Sequence, residues 1–149
     1  KYNNMITKSF LFYHFLMIFS ALILCTKADE KCSGEQNING EPLEICGRNP
    51  ITGFYRDGYC RTGPNDYGSH TVCAIVTEEF LSYTKVQGND LSTPRGTFSG
   101  LKDGDYWCLC AYRWKQAEEY GVAPNIILES SHISALQKID YFIQISIYK

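Results

Sequence analysis

The sequence predicts a small single α+β domain: a three- to four-stranded sheet, two or three helices, and a long Gly/Pro-rich loop that carries cysteines. Three observations point there. Two runs rich in β-branched and aromatic residues, HTVCAIV (70–76) and YWCLCAY (106–112), have the length and composition of strands. Each is followed by a stretch with helix start and stop signals. Residues 29–68 are dense in Gly, Pro, Asn and Asp, a composition that no long helix or strand can hold. At 149 residues the chain suffices for one domain with a real core and not for two.

The elements follow in order. Lys1 is not an initiator, so Met5 is the expected start and the residues before it read as a fragment edge. From there the chain reads as a secretory signal peptide, with Lys8 as its positive region and FLFYHFLMIFSALILC (10–25) as its apolar region. Thr26 and Ala28 suit cleavage after Ala28, leaving 29–149 as the domain. Sixteen helical residues rise about 24 Å, short of the roughly 30 Å hydrocarbon core, which favours cleavage over a membrane anchor. A secreted or secretory-pathway location is therefore expected, with membrane contact only if this segment stays uncleaved.

TGFYR (52–56) reads as a short strand within the irregular loop. After the strand at 70–76, Thr77 is an expected N-cap, with Glu78 and Glu79 in the first turn where the helix dipole favours anions. That helix should run over 78–87 and stop at Gly88. A second loop (89–105) leads to the strand at 106–112 and a helix over 113–120 that ends at Gly121. NIILES (125–130) reads as a third strand reached by a parallel crossover, SHISALQKI (131–139) as a short helix, and the tail as an alternating strand. Trp107 and Trp114 fall on element interiors and should be core. His132 should be structural or solvent-facing.

Charge narrows the partners. The whole chain carries a formal charge of −2, and loss of Lys1, Lys8 and Lys27 with the signal leaves 11 cations against 16 carboxylates, or −5. With no basic stripe, nucleic acid is not expected as a partner. A small anion or a protein is the expected one, and the domain should act as a monomer or small homo-oligomer. P-loop, G-x-G-x-x-G, G-x-S-x-G and H-E-x-x-H motifs do not occur.

Four blocks, PITGFYRDGYCRTGPNDYGSHTVCA, GNDLSTPR, GLKDGDYWCLCAYRW and GVAPNIILESSH, resemble the family catalogued as domain of unknown function 2237. The likeness spans about residues 40–132. It implies that bacterial relatives carry cysteines at positions 46, 60, 73, 108 and 110 and generally lack a signal peptide. In a reducing cytosol those positions suit thiols or metal ligands. Here the signal, Cys32 and the tail after Ile139 depart from the family.

The cysteines pose the first chemical question. With Cys25 in the signal, six remain: Cys32, Cys46, Cys60, Cys73, Cys108 and Cys110. An even count in an exported chain favours disulfides, of which three bridges allow 15 connectivities. Cys108 and Cys110, two apart, should share a strand face at the far limit for bridging each other. Each then pairs elsewhere, or Cys108, Cys110 and Cys73 with His70 hold zinc, with Cys46 or Cys60 as further candidates. No cofactor other than zinc is suggested. His70 and Cys73, three apart, should point to opposite faces of a strand, which argues against a local nucleophile pair. The loop 46–69 should fold back over the cysteine-bearing strand.

The loops pose the second question. Arg56, Asp57 and His70 in one, and Asn89, Asp90, Ser92 and Arg95 in the other, are candidates for a polar pocket if the loops face each other. Asp66 and Ser69 lie beside His70 at the end of the first loop, and Thr93 lies within the second; the alternative is that Asp57, Asp90 and the Ser and Thr residues cap turns while the arginines tie loops together through carboxylates. Three functions stay open, in this order: a non-catalytic binding module, a thiol- or zinc-dependent protein using Cys108, Cys110, Cys73 and His70, and an enzyme with an anion site at Arg56, His70 and Arg95.

Overall fold

Alternation of side chains organises the centre of the molecule. The computed structural model describes residues 34–139 and pairs β1 (Val72–Ile75) antiparallel with β2 (Tyr106–Leu109). Opposite partners are Val72 and Leu109, Cys73 and Cys108, Ala74 and Trp107, Ile75 and Tyr106. Successive side chains leave a strand on opposite faces. Val72, Ala74, Trp107 and Leu109 accordingly enter one buried cluster, with Phe80, Leu81 and Trp114 from the helices. Cys73 and Cys108 enter a separate buried cluster with Cys46 and Cys60, against which Ile127 packs.

The helices cover the first face. Helix α1 (Glu78–Val86) is capped by Thr77, whose hydroxyl accepts from the Phe80 N–H at 3.2 Å, with Glu78 and Glu79 in its first turn. It buries Phe80, Leu81 and Thr84, and the chain turns away at Gly88 with φ +82°. Full burial of Phe80 contributes about 1.5–3 kcal/mol. Helix α2 (Ala111–Glu119) buries Ala111, Trp114 and Ala117, and the Trp114 indole donates to the Pro124 carbonyl at 2.9 Å. It starts two residues earlier than the sequence suggested. The Ala111 N–H donates to the Ser69 carbonyl at 3.0 Å, which ends strand pairing at Leu109 and turns Cys110 out as the helix N-cap.

The α+β class holds, but among the described residues the sheet has two strands rather than three or four. NIILES does approach β1, through Ile75 N–H to Asn125 O (3.2 Å), Ile127 N–H to Cys73 O (2.9 Å) and one antiparallel bridge between Ala74 and Ile126. It then closes into a 3-10 turn at Leu128–Ser130. Two serines end the strand there. Ser131 Oγ donates to the Ile127 carbonyl at 2.8 Å and accepts from the Cys73 N–H at 2.9 Å, replacing the ladder bond those two groups would make, while Ser130 Oγ donates to the Ile45 carbonyl of the loop at 2.9 Å. Segment 125–127 and β2 both run antiparallel to β1, on its two sides. The crossover thus lands beyond β1 instead of beside β2.

TGFYR forms turns instead of a strand, because Gly53 (φ +93°) and Arg56 (φ +56°) take left-handed conformations. At Gly53 an added Cβ would lie 2.2 Å from the Tyr59 carbonyl oxygen, so only glycine fits this turn. The expected helix at 131–139 is a 3-10 turn, Ile133–Ala135, continued by helical residues to 139. His132 caps that turn, its Nδ1 accepting from the Ser134 N–H at 3.1 Å, and burial lowers its pKa. The signal segment, Cys32 and the tail strand lie outside the described residues. Within those residues no helix is long and apolar enough to cross a membrane.

Candidate functional site

Two places collect the residues with chemistry, and they meet at Cys108. The first is the cysteine cluster. Cys46 bridges Cys73 and Cys60 bridges Cys108, with Cα–Cα distances of 5.6 and 5.2 Å. The loop does fold back over the sheet, and these are its ties. Cys73 N–H donates to Ser131 Oγ (2.9 Å) and Cys108 N–H to Thr52 Oγ1 (2.8 Å). Neither residue hydrogen-bonds the other across the strands, so they form the close kind of antiparallel pair, with Cα atoms about 4.5 Å apart. The bridges therefore leave the sheet side by side. The sulfurs of Cys46, Cys60 and Cys73 all lie within 4.8 Å of one another.

This arrangement answers the questions raised by the cysteine spacing. Cys108 and Cys110 do not share a face, because β2 ends between them; Cys110 is a half-buried free thiol at the start of α2. Cys73 and Cys108 are committed to separate bridges, so the set Cys73, Cys108, Cys110 and His70 does not present four free ligand atoms. His70 precedes β1 and belongs to the second place.

That second place is a cavity of about 350 Å³ lined by Gly53, Phe54, Arg56, His70, Leu91, Trp107 and Cys108. Its polar residues are held from behind. The Asp66 side chain is 0% exposed and the His70 side chain 40%. Asp66 accepts from His70 Nδ1 at 2.6 Å, from the His70 N–H at 2.8 Å and from Thr62 Oγ1 at 3.0 Å. Burial alone would raise the Asp66 pKa. The bonds from the His70 ring and backbone, the His70 charge and the Thr62 hydroxyl outweigh it and hold the carboxyl below its ordinary value. An ionised carboxylate only accepts, so Nδ1 carries the ring proton and Nε2 is the nitrogen available to a ligand. The imidazole stacks on Phe54 with centroids 6.2 Å apart and packs against Gly68, where an added Cβ would meet Cε1 at 2.5 Å.

Arg56 faces the same space. Its guanidinium lies 4.9 Å from the Trp107 ring centroid, and no carboxylate among the described residues pairs with it. Arg56 (φ +56°) and Ser69 (φ +48°) are the non-glycine residues with positive φ among those described, and they are the lining arginine and the neighbour of the lining histidine. Left-handed backbone at such residues costs on the order of 1–3 kcal/mol each and gathers at functional sites.

The other loop residues do not join them. Asp57 pairs with Arg61 and accepts from the Tyr59 N–H at 3.1 Å, a turn-capping role. Asn89 donates to Thr84 Oγ1 at 2.9 Å. Asp90 caps its own loop through the Ser92 and Thr93 N–H groups (3.1 and 3.0 Å) and meets Lys85 at 3.4 Å and Arg95 at 3.5 Å. Hydrogen bonding with Thr93, together with Ser92 and Lys85, holds its carboxyl well below the usual carboxylate range. Ser92 lines a different depression, of about 480 Å³, with Lys85 and Lys102. The single pocket expected from both loops thus divides, and Arg56 and His70 share one part of it. Sequence reasoning missed Phe54, Leu91 and Trp107 as its walls. Trp107, a core residue by its place in β2, is both buried and lining.

A family model described as "Uncharacterized protein conserved in bacteria (DUF2237)" matches residues 36–145. No curated protein matches the chain.

Proposed function

The chain belongs to the DUF2237 family, and on that premise we propose that this domain is a binding module for a small anion with an apolar body, held between Arg56 and His70. The observation that carries this reading is the convergence of both side chains on one cavity whose other walls are Phe54, Leu91 and Trp107. Small-ligand sites combine such apolar walls with a few converging polar groups. The guanidinium offers paired donors to a carboxylate or phosphate, and its place over the Trp107 ring fixes its plane in advance. His70 supplies a further donor or acceptor at Nε2, oriented by Asp66. The apolar walls select for the rest of the ligand.

The Asp66–His70 pair supports a second reading, in which His70 moves a proton to or from the bound anion as a general acid or base. Binding comes first in both readings and is tested first. Benzoate, inorganic phosphate and the uncharged benzyl alcohol are titrated into the ¹⁵N-labelled domain. Saturable shifts at Arg56, His70 and the Trp107 indole with benzoate, and weak ones with benzyl alcohol, are expected. Arg56→Gly relieves the left-handed backbone and forfeits about 0.5–1 kcal/mol of cation–π contact, so its stability stays within about 1 kcal/mol of the parent. Its benzoate affinity should drop at least tenfold. If neither anion shifts these residues saturably, the reading fails.

A further inference from the structure

The geometry points to a second use of the cysteine cluster: in its reduced form the chain binds one zinc ion through Cys46, Cys60, Cys73 and Cys108, so the two disulfides and a tetrathiolate centre are alternative states of one site. All four residues are buried, with Ile127 packed over them. Three of their sulfurs already lie within 4.8 Å of one another, and the fourth, on Cys108, is bonded to that of Cys60. A tetrahedral ZnS₄ centre with Zn–S bonds of about 2.3 Å places its sulfurs roughly 3.8 Å apart. The Cys108 sulfur lies outside that group of three, and once its bond to Cys60 opens, rotation about the Cα–Cβ bonds is the movement that brings it in.

That backbone is held independently of the sulfurs. Cys73 and Cys108 sit on paired strands, and the Cys46 N–H donates to the Gly58 carbonyl at 2.8 Å, two residues before Cys60. Four thiols therefore stay gathered when the bridges open. Cys110 is excluded by position, since it caps α2 outside this cluster.

The chemistry balances with one co-reactant class. Each disulfide takes two electrons and two protons from a dithiol reductant, which leaves as its own disulfide. Binding of Zn²⁺ then releases four protons from the four thiols and leaves a centre of charge −2. Arg56 lines the cavity that Cys108 borders, which places a cation on that side of the centre. The ion replaces the bridges as the tie between loop 46–60 and the sheet. One fold then serves an oxidising compartment through sulfur–sulfur bonds and a reducing one through metal–sulfur bonds.

Cobalt substitution tests this. The full chain is reduced anaerobically with excess dithiothreitol, exchanged into reductant-free buffer under the same atmosphere, and titrated with Co²⁺ and then Zn²⁺. The expected result is one equivalent of Co²⁺ with strong tetrahedral d–d bands and a thiolate charge-transfer band, displaced by one equivalent of Zn²⁺. The oxidised chain should show neither. Cys110→Ser should keep the full signal, while Cys46→Ser should lose the ordered tetrathiolate spectrum. If the reduced chain is folded by circular dichroism yet gives no such bands, the inference is overturned. Should reduction unfold the chain, recovery of the native dichroism on adding Zn²⁺ supports the inference and failure to recover overturns it. Loss of the signal in Cys110→Ser would overturn the ligand set.

Discussion

Asp66→Asn inverts the logic of the cavity while keeping its shape. The carboxylate accepts three hydrogen bonds, two on one oxygen from the His70 N–H and Thr62 Oγ1 and one on the other from His70 Nδ1. An asparagine placed with its carbonyl at the first position keeps two of them. Its amide then donates to Nδ1, which forces the imidazole proton to Nε2. Bonds to a charged acceptor contribute about 1.5–3 kcal/mol against about 0.5–1.5 for neutral ones. Loss of charge across the three bonds, partly offset by the easier burial of a neutral amide, gives a net cost of about 2 kcal/mol at pH 7.

The pH dependence carries a definite sign. Asp66 has a depressed folded pKa, so its stabilisation is complete above the ordinary aspartate value of about 3.9 and fades as the pH falls through the folded value. The difference between parent and variant should therefore shrink steadily below about pH 4. Urea unfolding at pH 7, 5 and 3 measures it, and long-range ¹H–¹⁵N correlation of the His70 ring reads the tautomer. A variant within about 0.5 kcal/mol of the parent at pH 7, a difference that does not change with pH, or an imidazole still protonated at Nδ1 would each refute the reasoning.

Three further outcomes are expected. Removing the Cys60–Cys108 bridge by a double alanine replacement should destabilise the oxidised domain by about 4 kcal/mol from its 48-residue separation, read by urea unfolding with a larger m-value. Thr52→Val leaves the buried Cys108 N–H without its acceptor and should cost about 1–3 kcal/mol by thermal or urea denaturation. Gly68→Ala pushes against the His70 imidazole and should weaken binding of the benzoate probe much more than it lowers the melting temperature.

What the sequence made legible was what local chemistry decides. Thr77, the two glutamates after it and Gly88 mark α1 at both ends, and the structure follows them closely. Both tryptophans are buried. The loop-to-strand ties were legible as a need, because a Gly- and Pro-rich tract cannot hold itself by secondary structure. Their pairing was not, since it follows from β1 and β2 register and from where β2 stops. Ser130 reads as the end of a strand and Ser131 as a helix start, yet the segment leaves the sheet at these two serines, whose hydroxyls bond backbone carbonyls. The cavity was half legible. Arg56 and His70 were singled out by residue type, but Arg95 was placed with them on charge alone, and Asp90 holds it elsewhere. The left-handed backbone at Arg56 and Ser69 leaves no trace in the residue names.

The hydroxyls of Thr52 and Ser131 have a consequence for how this domain meets other chains. A two-stranded ribbon has two margins, and an open margin is a template on which a foreign strand can zip. Here residues 125–132 run along the outer margin of β1, and Thr52 stoppers the middle of the outer margin of β2. An incoming strand would have to displace residues 125–132 on one margin, and Thr52 on the other to reach the Cys108 N–H. Backbone zippering, with its poor discrimination among sequences, is thereby impeded at both margins of the ribbon.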